Sequence, residues 1–156
     1  MTFALSGSPG GGAQTGFTSP TYTVAVDTAP QYNGKQFAVT ALGGTQVGVT
    51  ASSVGNPFTV NMIRPVTLKS AAPLRTNSNS LLQNNRNVWV MIIRKGGFVN
   101  TAAGIRGIMV TRTSWDIPAG METESPAEIR ASVSFQVGVG NNQSAGIGDM
   151  LVTGTS

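Results

Sequence analysis

The stretch Ile108-Met109-Val110-Thr111-Arg112-Thr113-Ser114-Trp115-Asp116-Ile117 decides the fold, together with its continuation Pro118-Ala119-Gly120 and the later Ser125-Pro126-Ala127-Glu128. Side chains alternate along a strand. Met109, Thr111, Thr113, Trp115 and Ile117 therefore make one apolar or β-branched face, and Val110, Arg112, Ser114 and Asp116 make a polar one. Pro118 has no N–H for a ladder and Gly120 frees the backbone, so the strand stops there. Ser125 is expected to cap a helix, with Pro126 at its first position and Glu128 where a capping box needs it. Such a cap contributes about 1 kcal/mol.

The helix is expected to run to about Val139, with Ile129, Val133 and Val137 as one apolar row and Phe135 beside it. Gly138, Gly140 and Asn141-Asn142 are the expected stop. The segment from Ser144 to Val152 reads as a second short helix. Two such helices carry too little apolar bulk for a bundle of their own, so they must cover the apolar side of a sheet.

The strands of that sheet precede them. Residues 1–20, centred on Gly10-Gly11-Gly12, read as an arm or loop. Residues 22–26 alternate as a strand, and Pro30 and Asn33-Gly34 mark a turn. Residues 36–42 form a second strand, Gly43-Gly44 signals a hairpin, and residues 46–51 form a third strand. Phe58 to Arg64 is a fourth, with Phe58, Val60 and Met62 on one face and Thr59 and Asn61 on the other. A polar loop, 70–86, is long enough to suggest function. Asn87 to Arg94 is a fifth strand, apolar on both sides, so alternation leaves its register open. Gly96-Gly97 and Gly104 bracket the next turn. Strands first and helices last is an α+β plan: an N-terminal β-hairpin, an antiparallel sheet and two C-terminal helices, within one domain, 1–156.

The chemistry-bearing residues are few. The 156 residues include no Cys and no His, which removes disulfides, thiol nucleophiles, imidazole bases and the usual zinc sites. No phosphate-cradling Gly-Lys-Ser/Thr loop is present. Asn142-Gln143-Ser144 fits a glycosylation sequon, but the start of the chain lacks the features of a secretory signal. No apolar run is long enough to span a bilayer. An enzyme is not expected, nor a cofactor or metal, and the expectation is a soluble protein that stays where it is made. Charge is the informative property. The net charge is +4, and the six acids are Asp27, Asp116, Glu122, Glu124, Glu128 and Asp149. Between Thr28 and Trp115 there is no carboxylate, while Lys35, Arg64, Lys69, Arg75, Arg86, Arg94, Lys95, Arg106 and Arg112 all lie there. Sorting of this kind favours a polyanion partner.

Five segments together resemble the coat proteins of single-stranded RNA bacteriophages: Ile63-Arg64-Pro65, Ile93-Arg94-Lys95-Gly96, Asp116 to Gly120, Ser125 to Ala131, and Asn142 to Asp149 continuing through Leu151-Val152-Thr153-Gly154. The resemblance runs in order from about Phe58 to the end. It implies a capsid subunit in a virion, made in the bacterial cytoplasm. Two chains would form an interlocked homodimer, with sheets joined edge to edge and helices packing across the partner's sheet through Ile129, Val133 and Val137. The free sheet face would bind the RNA genome, and one RNA hairpin bound there would repress replicase translation. Carried over strand by strand, the RNA-facing positions fall on Thr59 and Asn61, Trp89 and Met91, and Arg112 and Ser114. Trp89 is either a base-stacking platform or a core residue. The alternative function is a stand-alone single-stranded nucleic-acid-binding module, which rows of exposed aromatics would favour; here the aromatics are few and dispersed.

Overall fold

The computed structural model describes residues 3–155. Five strands, β1 (Phe17–Asp27), β2 (Gly34–Gln46), β3 (Phe58–Ile63), β4 (Arg86–Asn100) and β5 (Ile105–Pro118), lie side by side in chain order. Every neighbouring pair is antiparallel. The helices α1 (Met121–Glu124), α2 (Pro126–Asn142) and α3 (Ser144–Thr153) follow. The expected α+β order is therefore observed, with the N-terminal hairpin forming two strands of the one sheet.

Cross-strand partners share a face, so the register sorts the side chains. Gln36 lies opposite Asn61, Asn61 opposite Ile92, and Ile92 opposite Arg112. A second row joins Ala38, Thr59, Arg94 and Val110. These residues make the open face. The other face carries Phe37 opposite Val60, then Ile93 and Thr111, and beside them Met62, Met91 and Thr113. On that side Val133 of α2 closes an apolar pocket over Met62, Trp89, Trp115 and Ile117. The indole N–H of Trp115 donates to Gln136 Oε1 at 2.8 Å. This is the helix face. Phe3 of the arm packs edge-to-face on Phe37, ring centroids 5.8 Å apart.

Several expected boundaries moved, each for a local reason. Gly43 and Gly44 do not turn the chain. They let β2 pass close beneath β1, where Gly43 lies opposite Thr21 and Gly44 abuts the carbonyls of Thr18 and Ser19. The strand expected at 46–51 is absent. Val49 N–H donates to Gln46 C=O at 3.2 Å, and Gly48 takes φ +83°, so a turn stands there. Gly96 and Gly97 lie inside β4, opposite Ile108 and Gly107, and the turn comes at Thr101 to Gly104. α2 continues through Gly138 and Gly140 to Asn142.

The capping box is not formed. Ser125 is the N-cap residue of α2 and Pro126 opens the helix, but the Ser125 side chain makes no capping hydrogen bond. The cause is α1, absent from the sequence reading. Ser125 also ends that helix and gives its N–H to Met121 C=O at 2.9 Å, leaving nothing for Glu128 to reach back to.

The buried apolar residues among those described are Phe37, Val39, Ile92 and Ala119, and α2 and α3 contribute none. The chain exposes 10610 Å². A folded monomer of 16.1 kDa is expected to expose about 7,400 Å². The difference, roughly 3,000 Å², is on the scale that large obligate interfaces remove from water.

Candidate nucleic-acid interface

The open face of β5 is uncovered. Val110, Arg112, Ser114 and Asp116 are all exposed, while Thr113, Trp115 and Ile117 on the helix face are half-buried. The alternation read from the sequence thus holds from Arg112 to Ile117, while Met109 and Thr111, expected on the apolar face, are exposed. Arg86, on the same face of β4, takes Asp116: its Nε lies 2.8 Å from Asp116 Oδ1, and a terminal guanidinium nitrogen donates to Asp116 C=O at 3.0 Å. This is the one ion pair among the described residues. A half-exposed pair of this kind adds little stability. Its consequence is electrostatic: the only acid of β5 is already paired, and Arg112 and Arg94 have no ion-pair partner among the described residues.

Of the six residues assigned to RNA, the structure brings four to one face. Thr59, Asn61, Arg112 and Ser114 all lie on the open side, but not equally accessibly. Arg112 and Ser114 are exposed. Thr59 is buried at the floor of a groove of about 600 Å³, lined also by Asp27, Gln36, Ser52 and Arg94. Asn61 is 0 % exposed, covered by the turn between β1 and β2. Its amide donates to Gln31 Oε1 at 3.0 Å, and a Cβ on Gly34 would stand 2.7 Å from its Oδ1. Asn61 therefore supports the groove from beneath and does not line its surface.

Trp89 and Met91 are a correction. Trp89 pairs opposite Trp115, and Met91 lies between Met62 and Thr113, so both belong to the helix face. The β4 residues on the open face are Val88, Val90, Ile92 and Arg94. Sequence reasoning missed Arg94, and charge alone could not have found it. The adjacent Lys95 occupies the helix face instead, its Nζ 5.2 Å from the Phe58 ring centroid and donating to Gly96 C=O at 2.9 Å. Burial there pushes its pKa below the usual lysine value. With cations on successive residues, either register puts one outside.

The groove keeps unmet hydrogen-bonding capacity. Gln36 Nε2 donates to Asp27 Oδ2 at 2.7 Å and to Thr28 C=O at 3.3 Å, while Gln36 Oε1 and Asn61 Oδ1 have no partner. The described residues contain no cluster of three or more His, Cys, Asp or Glu that could hold a metal ion.

No protein-family model matches the chain, and no curated protein matches it. A solved structure does: the virus-like particle of bacteriophage ESE020, 42 % identical, with a TM-score of 0.95 over 99 % of this chain and 100 % of that one. The chain belongs to the bacteriophage coat proteins. As a capsid structural protein it has its place in the virion shell. No described helix of the coat protein is long and apolar enough to cross a membrane. Of the expected dimer residues, Ile129 and Val133 are half-buried, Val133 over its own sheet, while Val137 is 63 % exposed. Phe135, two residues earlier and so on nearly the opposite side of the helix from Val137, is 76 % exposed.

Proposed function

We propose that this coat protein forms an obligate homodimer, assembles from dimers into a closed icosahedral shell, and packages a single-stranded RNA genome against its open sheet face. The same face would hold one RNA hairpin tightly enough to repress replicase translation. The single observation that supports RNA binding is the open face of β5 and β4, where Arg112 and Arg94 have no carboxylate partner among the described residues and the one acid of β5, Asp116, is already held by Arg86. A cation of that kind takes a phosphate, and exposed Ser114 supplies a neutral donor beside it. The contact residues are Arg112, Ser114 and Arg94, with Thr59 in the groove floor. Trp89 and Met91 are assigned to the dimer core.

Three features support the dimer. The sheet has an uncovered 14-residue edge strand in β5. The tail leaves Phe135 and Val137 in solvent. The surface excess of roughly 3,000 Å² is of the size that a large obligate interface removes. A second copy presenting β5 about a two-fold axis continues the ladder, and its helices then cover the first copy's helix face.

The test of RNA binding is fluorescence anisotropy with a single-stranded RNA across a salt series, wild type against Arg112→Ala. One lost phosphate contact should flatten the log–log salt dependence by about 0.7, with the dimer still folded. Unchanged affinity and slope would remove the open face from genome contact and pass the role to the basic residues of loop 64–85.

A further inference from the structure

The two edges of the sheet are treated differently. β5 has no covering strand, carries no proline before Pro118, and exposes Ile105, Ile108 and Met109 along its length. A long uncovered edge is a template for another chain. The opposite edge, β1, is occupied by the protein's own arm. Gly11 N–H donates to Pro20 C=O at 2.8 Å, Tyr22 N–H to Pro9 C=O at 3.0 Å, and Val24 N–H to Gly7 C=O at 3.4 Å. Gly10 bridges antiparallel to Thr21. Gly11 must lack a side chain, because a Cβ there would lie 2.7 Å from the Tyr22 ring.

The arm is also tied down beyond the edge. Gln14 Nε2 donates to both Ser144 C=O and Ser144 Oγ at 2.8 Å, and Thr15 Oγ1 donates to Asp149 Oδ2 at 2.8 Å. These bonds join the segment to α3, more than a hundred residues later in the chain. They hold it in place where three backbone bonds alone would fray.

We propose that residues 7–15 are an edge guard: they occupy the β1 edge so that strand pairing between subunits is confined to β5 and ends at two chains. The proposal rests on the reading that β5 joins β5 in the dimer. With both edges free, β5 of one copy could also pair with β1 of the next, a head-to-tail contact that repeats without closing and yields ribbons. With β1 occupied, only the self-complementary β5 contact is open, and it closes. A shell-forming protein needs that restriction, because each dimer must be discrete before it joins the shell. The arm's outer side is a poor template itself. Pro9 has no N–H to donate, and Gly10-Gly11-Gly12 has no side chains to pack on a neighbour.

The experiment compares four proteins by light scattering after particles are dissociated in mild acid and returned to neutral pH: full length, a truncation lacking residues 3–11, that truncation with Val24→Pro, and full length with Val24→Pro. Val24→Pro deletes an N–H that faces the arm, not β2, so it blocks the edge by other means. The expected result is a dimer mass for full length and for full-length Val24→Pro. The truncation should show mass growing with concentration beyond the dimer, and Val24→Pro should return it to the dimer. A truncation that stays dimeric at every concentration overturns the guard. So does growth that Val24→Pro leaves unchanged, or loss of the strand signal in circular dichroism, which would make the arm a folding element. A full-length protein that runs as a folded monomer overturns the dimer reading itself, and is distinguished from failure of the guard because it appears without any change to the arm.

Discussion

The two faces of the sheet are made of similar strands and end up with opposite fates. The helix face has large side chains, Phe37, Met62, Trp89 and Trp115, and a covering of its own that reaches only as far as Val133 and Gln136. The open face has short polar residues, two unpaired arginines and a groove, and no helix. In the proposed reading, one face is left for a partner's apolar side chains and the other for a polyanion. The same strands can serve both partners at once, since alternation keeps the two sets of side chains apart.

The sharpest way to break this comparison is to spoil the apolar half. Phe135→Asp with Val137→Asp alters residues that the single chain leaves in solvent, so a self-sufficient subunit would tolerate both. Each buried side chain of this size contributes about 1.5–3 kcal/mol, and two-fold symmetry counts each one twice. Dimer dissociation should therefore rise at least about a thousandfold, read by sedimentation across a dilution series. Particle yield should fall to background.

A smaller effect is expected at Trp89. Trp89→Ala should cost roughly 2 kcal/mol, about half the loss at a fully buried site, as a lower denaturation midpoint. RNA affinity measured on the folded dimer should not change. A Trp89→Ala protein of full stability that loses RNA affinity would return Trp89 to the genome side.

Smaller still is the charge effect. Arg94→Ala combined with Arg112→Ala should flatten the salt dependence of RNA binding by about 1.4 if each holds one phosphate. Lys35→Ala should leave it unchanged, since Lys35 lies opposite Met62 on the helix face. Equal effects from the two faces would erase the distinction. The smallest expected change is at Ser125. With no side-chain capping bond to lose, Ser125→Ala should move thermal unfolding by no more than about 0.5 kcal/mol, measured by calorimetry on dissociated subunits.

Much of this was legible in the residues. β5 could be read to its end at Pro118 because one face alternates with the other and proline stops a ladder. Thr59, Arg112 and Ser114 could be placed for the same reason. β4 could not, since Val88 to Ile93 is apolar at both parities and its register is fixed only by pairing with β3 and β5. Asn61 reads as a surface residue because its burial depends on Gln31, thirty positions earlier in the chain and folded over it. The capping box failed because a pattern of four residues cannot report that Met121 already holds the cap's N–H. The arm was read as a loop because its pairing along β1 is carried by backbone N–H and C=O groups, which leave no mark on residue type.

The glycines mistaken for turns act as a proofreading device. Alternation forbids a slip of one residue between strands, since that would exchange the faces, but it tolerates a slip of two. At Gly44 a Cβ would stand 2.7 Å from the Ser19 carbonyl carbon, and at Gly96 it would stand 2.8 Å from Asn56 Cα and 2.9 Å from Pro57 Cδ. A two-residue slip keeps every hydrophobic side chain on its proper face yet drives Leu42, Gln46, Arg94 or Phe98 into one of these contacts. The sheet therefore discriminates between alignments that its hydrophobic code regards as equal, and every copy that enters the shell presents the same edge, the same groove and the same pair of arginines.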